Sequence, residues 1–184
     1  MFLGDYFQNI QAAYKNYFFS GISFDSTQIK KNYIFFAIKG NKIDGNDFIS
    51  SAIINGAKIV VTEKKINRLK NGILFINSNN IRKLLAEISF KINNQIPDNI
   101  IAVTGTNGKS SIADFYYQIL DLNNKKVASI GTLGIKSKKY KKDILNTTMD
   151  PIQLSKILSY LKKQNINNVI MEASSHGLSQ NRLN

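Results

Sequence analysis

The stretch IIAVTGTNGKSSIADFYYQILDL, residues 100–122, decides how the second half of the chain is interpreted. Residues 100–105 form an apolar run ending in glycine, which is typical of a buried strand, and residues 110–122 have the spacing of an amphipathic helix. The apolar residues predicted to face inward from that helix are Ile112, Phe115, Ile119 and Leu122. A glycine-rich turn joins the two elements, and this is the context of a phosphate-binding loop.

The turn supplies the groups that bind phosphate. Its glycines let backbone N–H groups point at phosphate oxygens, and the N-terminus of the following helix attracts anions. We expect Lys109 to neutralise the β- and γ-phosphates of ATP and the Ser110 hydroxyl to ligate Mg²⁺. The general loop pattern is met only in part, because Val103 stands where the first glycine belongs, so a plain glycine-rich turn is the alternative. The predicted cofactor-binding residues are Thr104, Gly105, Thr106, Asn107, Gly108, Lys109, Ser110 and Ser111.

Beyond this loop, strands and helices alternate. Residues 126–131 and 168–174 are two further strand patterns, and the helix between them is expected to begin at Pro151 with Asp150 as its N-cap. Alternation of this kind predicts a parallel sheet. Three strands are about half of a doubly wound sheet, so we expect the sequence to be the front part of a longer protein.

The first half of the chain is patterned as a small mixed α/β domain. Pro97 lies in a polar stretch that separates the two halves, so the predicted domains are residues 1–97 and 98–184. The expected helices span residues 6–19, a segment from an Asp47 cap to Gly56, and residues 80–93; the expected strands span residues 32–40, 58–63 and 73–77.

Composition excludes several kinds of site. The chain has no cysteine and one histidine, His176, which removes disulfides, zinc–thiolate sites and multi-histidine metal sites. The net charge is +13, yet Lys outnumbers Arg 22 to 3, whereas nucleic-acid readers favour the planar fork of Arg. We attribute the basicity mainly to AT-rich codon usage and expect no nucleic-acid partner. No apolar run reaches the length of a membrane span, so we expect a cytoplasmic protein without membrane insertion.

Glu172 is one of only three glutamates and follows a predicted buried strand. Ligands of open parallel sheets bind at the carboxyl ends of the strands. A carboxylate at that edge, beside the phosphate loop, is a suitable Mg²⁺ ligand. Lys109 and Glu172 are therefore the predicted catalytic residues, and Ser110 and Glu172 are the predicted metal ligands.

Four separated motifs carry a resemblance to a known family. TGTNGKS (104–110) has the form of the loop found in the Mur ligase family and its folylpolyglutamate synthase relatives. FDST (24–27) and the stretch at 33–57 resemble the UDP-binding domain of Mur ligases. NTTMDPIQL (146–154) and MEASSHGLSQNR (171–182) resemble segments of the branch that adds a diamino acid.

The resemblance implies an α/β fold, with a small UDP-substrate-binding domain at 1–97 followed by the first part of a parallel-sheet ATPase domain at 98–184. It also implies an ATP- and Mg²⁺-dependent ligase of peptidoglycan synthesis. That enzyme joins meso-diaminopimelate or L-lysine to UDP-MurNAc-L-Ala-D-Glu through an acyl phosphate. The resemblance further implies that residues 1–184 alone make no product and that the full-length enzyme is a monomer.

Matched motifs also transfer substrate contacts to this chain. Thr27 and Asn41 depart from the residues usual in the family, so the details of uracil and pyrophosphate contact stay open. The residues implied to contact the uridine part are Phe24, Ser26, Asn41, Lys42 and Ile43. Those implied to contact the muramoyl-peptide part are Asn146, Thr147, Thr148, Ser174, Gln180 and Arg182.

The sequence also leaves other functions open. A MurF-like ligase or a folylpolyglutamate synthase-like ligase shares part of the pattern. A non-catalytic nucleotide-binding module and a basic nucleic-acid-binding module are alternatives from another class. His176 is expected to orient its loop rather than to act as a general base.

Overall fold

The structure, a computed structural model, describes residues 1–41, 43–66, 68–138, 140–142 and 149–174. The chain divides into two compact units, Met1–Ile88 and Ser89–Asn184. Each unit contains a sheet whose central strands are parallel, so the α/β fold class expected from the sequence is confirmed. The division falls within a helix, Ile81–Ile92; the boundary at residue 97 stays a prediction.

The first unit has a five-stranded sheet. Its strands are β1 (Gly21–Ser23), β2 (Tyr33–Phe36), β3 (Ala57–Thr62), β4 (Arg68–Lys70) and β5 (Ile73–Asn77). They are arranged in the order β1-β2-β3-β5-β4. The first four in that order are parallel neighbours, and β4 pairs antiparallel with β5. Apolar side chains such as Phe35 and Val60 form a core with Ala52 of a covering helix.

The helices of this unit are α1 (Leu3–Tyr6), α2 (Ile49–Ile54) and the part of α3 (Ile81–Ile92) up to Ile88. The segments Ala12–Tyr14, Ser26–Gln28 and Gly45–Phe48 form 3₁₀ turns. The expectation that Asp47 caps α2 is wrong, because Asp44 accepts the backbone N–H of Asn46 and begins the 3₁₀ turn that precedes the helix. Gly56 does close the segment, with φ of +113°.

The predicted helix over residues 6–19 is absent from the structure. The backbone N–H of Leu3 donates to the Tyr17 carbonyl at 3.0 Å, so the segment folds back on itself. This arrangement buries Leu3 and Phe19 completely. Aromatic side chains also lose rotamer freedom in helices, so the local preference for a helix was weak.

The second unit also has a five-stranded sheet. Its strands are β6 (Asn99–Val103), β7 (Val127–Gly131), β8 (Gly134–Ser137), β9 (Lys141–Lys142) and β10 (Asn168–Glu172). The order is β6-β10-β7-β8-β9. The first three are parallel, whereas β7, β8 and β9 are joined antiparallel. The short strands β8 and β9 therefore extend the sheet on the far side of β7.

Two long helices cover this second sheet, α4 (Lys109–Leu122) and α5 (Pro151–Lys163). The α5 helix packs on the face formed by residues such as Ile130 and Met171. Side chains alternate along a strand, so Glu172 points to the other face, where α4 contacts β7 and β10. The Asp150 carboxylate accepts the Gln153 N–H at 2.9 Å, which confirms Asp150 as the cap.

The inward face predicted for α4 is wrong. Ala113 and Tyr117 are buried, whereas Phe115 is 62% exposed, and Ile112, Ile119 and Leu122 are also exposed. The strand β6 is likewise not buried, since Ile101 is 40% exposed. The physical reason is that both helix faces carry apolar residues, and the small Ala113 allows the closer approach to the sheet. Among the described residues, β6 pairs only with β10 and forms an edge of the sheet.

Candidate functional site

Three strand ends meet at one edge of the second sheet. The parallel strands β6 and β7 flank β10, so their carboxyl ends lie side by side. The glycine-rich loop follows β6, Glu172 ends β10, and the Gly131–Thr132 turn ends β7. This edge is where open α/β sheets bind ligands.

The loop after β6 takes a conformation that requires glycine at two positions. Gly105 has φ of +149° and Gly108 has φ of +80°. A Cβ at Gly108 would meet nothing within 4 Å, so the backbone angle rather than lack of space explains this glycine. Gly108 is also the N-cap of α4, and no side chain caps that helix end.

The N-terminus of α4 is therefore available to an anion. The first backbone N–H groups of any helix lack partners within the helix, and the helix dipole adds positive potential there. In this chain those groups belong to Lys109, Ser110 and Ser111. Residues Thr104 to Gly108 are exposed, so a phosphate group can reach them from solvent.

The ammonium group of Lys109 lies at the same loop. Its Nζ donates to the Gly105 carbonyl at 2.6 Å and to the Thr106 carbonyl at 3.4 Å. The loop thus holds a positive charge beside its exposed N–H groups. Together they form a site whose charge and donors fit a nucleotide polyphosphate.

Ser110 and Glu172 form the predicted metal pair. The Ser110 hydroxyl donates to Oε2 of Glu172 at 3.1 Å, although the two residues are 62 positions apart in the chain. Glu172 is 3% exposed. A carboxylate and a hydroxyl this close offer oxygen ligands to Mg²⁺, which usually binds one or two carboxylates together with water and substrate phosphates. The residues present therefore fit a magnesium–nucleotide complex.

Thr132, which the sequence motifs do not mark, also contacts Glu172. Its backbone N–H donates to Oε1 of Glu172 at 3.0 Å, and its hydroxyl donates to Oε2 at 2.9 Å. The available signal was the pattern Gly-Thr-Leu-Gly at residues 131–134, directly after a strand of the same parallel sheet. Residues that follow parallel strands converge at one edge, so this turn had to lie near Glu172 if the two strands were neighbours.

Two of the predicted uridine-contacting residues follow β1. Phe24 is exposed, and Ser26 is buried at the start of a 3₁₀ turn. The Asp25 carboxylate accepts the N–H of Thr27 at 2.9 Å and its hydroxyl at 2.7 Å. Thr27, one of the two departures from the family pattern, therefore stabilises this turn.

Two further predicted residues follow β2, the parallel neighbour of β1. Asn41 and Ile43 are both exposed in this loop. The Gly40 N–H donates to the Ile43 carbonyl at 2.9 Å, which closes a tight turn. The backbone N–H of Asn46 holds the pKa of Asp44, at the base of the loop, below its ordinary value. The loops after β1 and β2 thus lie at one edge of the first sheet.

Several predicted site residues fall outside the described part of the chain. They are Lys42, Asn146, Thr147, Thr148, His176, Gln180 and Arg182. Ser174 is described: it lies two residues after the end of β10 and is half-buried. Its role as a substrate contact stays a prediction.

Across the described residues, none of the helices combines the length and the apolar character that crossing a membrane requires.

Almost the whole chain matches a known protein family. Residues 19–104 match the description "Mur ligase family, catalytic domain", and residues 103–184 match "Mur ligase middle domain". The two matches follow one another without a gap.

Individual curated proteins also match nearly the whole chain. A Rickettsia typhi protein named UDP-N-acetylmuramoyl-L-alanyl-D-glutamate--2,6-diaminopimelate ligase is 39% identical over 180 residues, covering 95% of this chain and 36% of its own length. A Wigglesworthia glossinidia brevipalpis protein of the same name is 41% identical over 174 residues, covering 90% of this chain and 35% of its own. The chain thus spans about a third of the length of the curated relatives that it matches.

Solved structures agree with these matches. A structure of a UDP-N-acetylmuramoyl-L-alanyl-D-glutamate--2,6-diaminopimelate ligase superposes with a TM-score of 0.79 at 30% identity, covering 96% of this chain and 36% of that one. The MurF ligase from Thermotoga maritima superposes with a TM-score of 0.54 at 21% identity, covering 84% of this chain and 32% of that one. The second match supports the fold alone.

Proposed function

The chain belongs to the Mur ligase family, and from that membership we propose that it functions as an ATP-dependent ligase of peptidoglycan synthesis. The proposed reaction joins 2,6-diaminopimelate to UDP-MurNAc-L-Ala-D-Glu, as the names of the similar proteins suggest. We place the reaction in the cytoplasm, where ATP is made.

One observation carries the proposal: the Ser110 hydroxyl lies 3.1 Å from the buried Glu172 carboxylate, directly beside the phosphate loop. Ser110 and Glu172 would hold the Mg²⁺ of a magnesium–ATP complex. Lys109 and the exposed N–H groups at the start of α4 would bind the phosphates. A bound magnesium–nucleotide supplies charge neutralisation and a transferable phosphoryl group.

The proposed reaction explains why positive charge is needed at the carboxyl edge of the second sheet. A carboxylate is a poor electrophile, so it first attacks the γ-phosphorus of ATP, which releases ADP and gives an acyl phosphate. The amine then attacks the acyl carbon, loses a proton and displaces phosphate. Two anions must approach each other in the first step. Lys109 and the dipole of α4 reduce their repulsion, and they do so from fixed positions that need no reorganisation during the reaction.

We assign the UDP part of the substrate to the first domain, proposed as residues 1–97, and ATP to residues 98–184. Phe24 and Ile43 expose apolar surface at the carboxyl edge of the first sheet, where a uracil ring could pack. Ser26 and Asn41 offer polar groups in the same two loops. These contacts rest on the matched motifs and on the position of both loops at one sheet edge.

The test compares two titrations of the chain by calorimetry, one with magnesium–ATP and one with UDP-MurNAc-L-Ala-D-Glu. In Lys109→Ala we expect ATP affinity to fall at least about tenfold, because a charge-assisted phosphate contact is lost. Affinity for the UDP substrate should not change. Lys125→Ala, an exposed position beyond the end of α4, is the control for the loss of one positive charge.

Unchanged ATP affinity in Lys109→Ala would contradict the proposed phosphate loop. Binding of ATP without binding of the UDP substrate would favour a nucleotide-binding module with another role.

A further inference from the structure

We propose that the Gly131–Thr132 turn is a positioning device that sets the Glu172 carboxylate in place to share Mg²⁺ with Ser110. The inference rests on the proposed function, since it concerns the same magnesium–nucleotide site. Thr132 acts through Glu172 and is not assigned as a metal ligand.

The first support is how Thr132 holds Glu172. Its N–H donates to Oε1 at 3.0 Å and its hydroxyl donates to Oε2 at 2.9 Å, so one residue contacts both carboxylate oxygens. Two such contacts fix the rotation of the carboxylate as well as its position. The third contact, from the Ser110 hydroxyl, is made to Oε2.

The second support is the space that Gly131 leaves. A Cβ at this position would lie 2.1 Å from Oε1, 2.4 Å from Cδ and 2.6 Å from Cγ of Glu172. All three distances are below any normal contact, so even alanine at residue 131 would force the Glu172 side chain to move. The glycine is explained by this close approach, because its φ is outside the left-handed region.

The third support is the topology. The strand β10 lies between β6 and β7, so Glu172 is flanked by the phosphate loop on one side and by the turn on the other. The turn connects two antiparallel strands and is tied to both, with Gly131 opposite Gly134 in the β7–β8 pair. A turn held this way is a rigid support for a neighbouring side chain.

Such support matters for magnesium in particular. Mg²⁺ demands nearly ideal octahedral geometry at about 2.0–2.1 Å, so a ligand displaced by a few tenths of an ångström is a poor one. A buried carboxylate also needs hydrogen-bond donors to offset its desolvation. Residues that orient a metal ligand typically change metal affinity by about 10- to 100-fold when they are replaced.

The experiment measures ATP affinity of the chain by calorimetry with magnesium and with EDTA. The ratio of the two affinities is the magnesium-dependent gain. In Thr132→Val, which keeps the N–H and the side-chain shape but lacks the hydroxyl, we expect that gain to fall about tenfold. Affinity in EDTA should stay within about twofold, since the phosphate contacts of the loop remain.

Two further variants separate positioning from a structural role. Thr132→Ser keeps the hydroxyl and should retain the gain. Gly131→Ala should lose it at least as fully as Thr132→Val, because it displaces Glu172 itself. Leu133→Ala is the matched control, since Leu133 belongs to the same turn and is 70% exposed. A variant that fails to fold would lose affinity in EDTA as well, and Thr132→Val then decides.

An unchanged magnesium-dependent gain in Thr132→Val would overturn the positioning role and leave the proposed function standing. Absence of ATP binding in the unaltered chain would overturn both.

Discussion

At the first turn of α5, Asp150 accepts the backbone N–H of Gln153 at 2.9 Å and so satisfies one of the unpaired donors of the helix. We expect Asp150→Ala to lower the free energy of unfolding of the second unit by about 1 kcal/mol. Urea unfolding followed by circular dichroism measures this. Asp150→Asn keeps an acceptor and serves as the control. Equal losses in both variants would show that the effect is not capping.

A second residue contact joins β8 to α4. The Nζ of Lys136 lies 3.0 Å from Oδ1 of Asp114 and 4.5 Å from the centre of the Tyr117 ring. The hydrogen bond from Lys136, helped by one from Gln118, lowers the pKa of Asp114 below its ordinary value of 3.8. Asp114 therefore contributes stability above that value, and this contribution is lost as the pH falls through the lowered pKa of the folded state.

This contact predicts a pH-dependent mutant effect. We expect Lys136→Met to lower the free energy of unfolding by about 1 kcal/mol near neutral pH, since an exposed ion pair and a cation–π contact are each worth about that or less. The difference from the unaltered chain should shrink as the pH falls below 3.8 and through the lowered pKa of Asp114 in the folded state. Urea titrations at several pH values measure it. A difference that stays constant down to the lowest pH would contradict the role of Asp114.

At the scale of the element, α4 carries apolar residues on two faces and packs only one of these faces against the sheet. We expect the double variant Phe115→Gln, Ile119→Gln to change the free energy of unfolding by about 0.5 kcal/mol or less, because both side chains are exposed. Tyr117→Ala, on the buried face, should cost about 3 kcal/mol. The double variant should also reduce self-association, which sedimentation velocity measures, since exposed apolar patches favour it. A cost equal to that of Tyr117→Ala would show that the face assignment is wrong.

The same helix shows what the sequence could predict about elements. The strand–loop–helix order at residues 100–122, the Asp150 cap and the strand predicted at 168–174 follow local rules of propensity and capping. The structure confirms the order and the cap, and it confirms the strand over residues 168–172. The buried face of α4 depends instead on which side meets the sheet. The prediction of a helix over residues 6–19 failed for a related reason, because hydrogen bonds between distant parts of the backbone determine the conformation of that segment.

At the scale of the whole molecule, some residues of the candidate site could be predicted from the sequence and others could not. Lys109, Ser110 and Glu172 could be predicted as candidates because a loop motif and a rare glutamate mark them, and the structure places Ser110 3.1 Å from Glu172. Thr132 was not predicted, because the Gly-Thr-Leu-Gly pattern places it near Glu172 only if β7 and β10 are neighbours. The chain order of strands does not reveal that β10 lies between β6 and β7.

The net charge of +13 belongs to the molecule as a whole and attracts any polyanion at low salt. Lysines greatly outnumber arginines, and exposed charges of this kind are screened beyond about 10 Å at 0.1 M salt. A protein that makes 6–10 phosphate contacts loses about 10³- to 10⁵-fold in affinity for nucleic acid between about 50 and 200 mM salt. The proposed magnesium–ATP site offers backbone N–H groups and few charges, so we expect its affinity for magnesium–ATP to fall much less.

We therefore expect a labelled single-stranded oligonucleotide to bind measurably at about 50 mM salt and to lose almost all of that binding at about 200 mM. Fluorescence anisotropy measures the oligonucleotide, and calorimetry measures magnesium–ATP under the same two conditions. Lys109→Ala gives the matched control, because it should weaken ATP binding at both salt concentrations while removing only one of the 22 lysines of the chain. Oligonucleotide affinity that survives the higher salt would indicate specific contacts and make nucleic acid a partner of this chain.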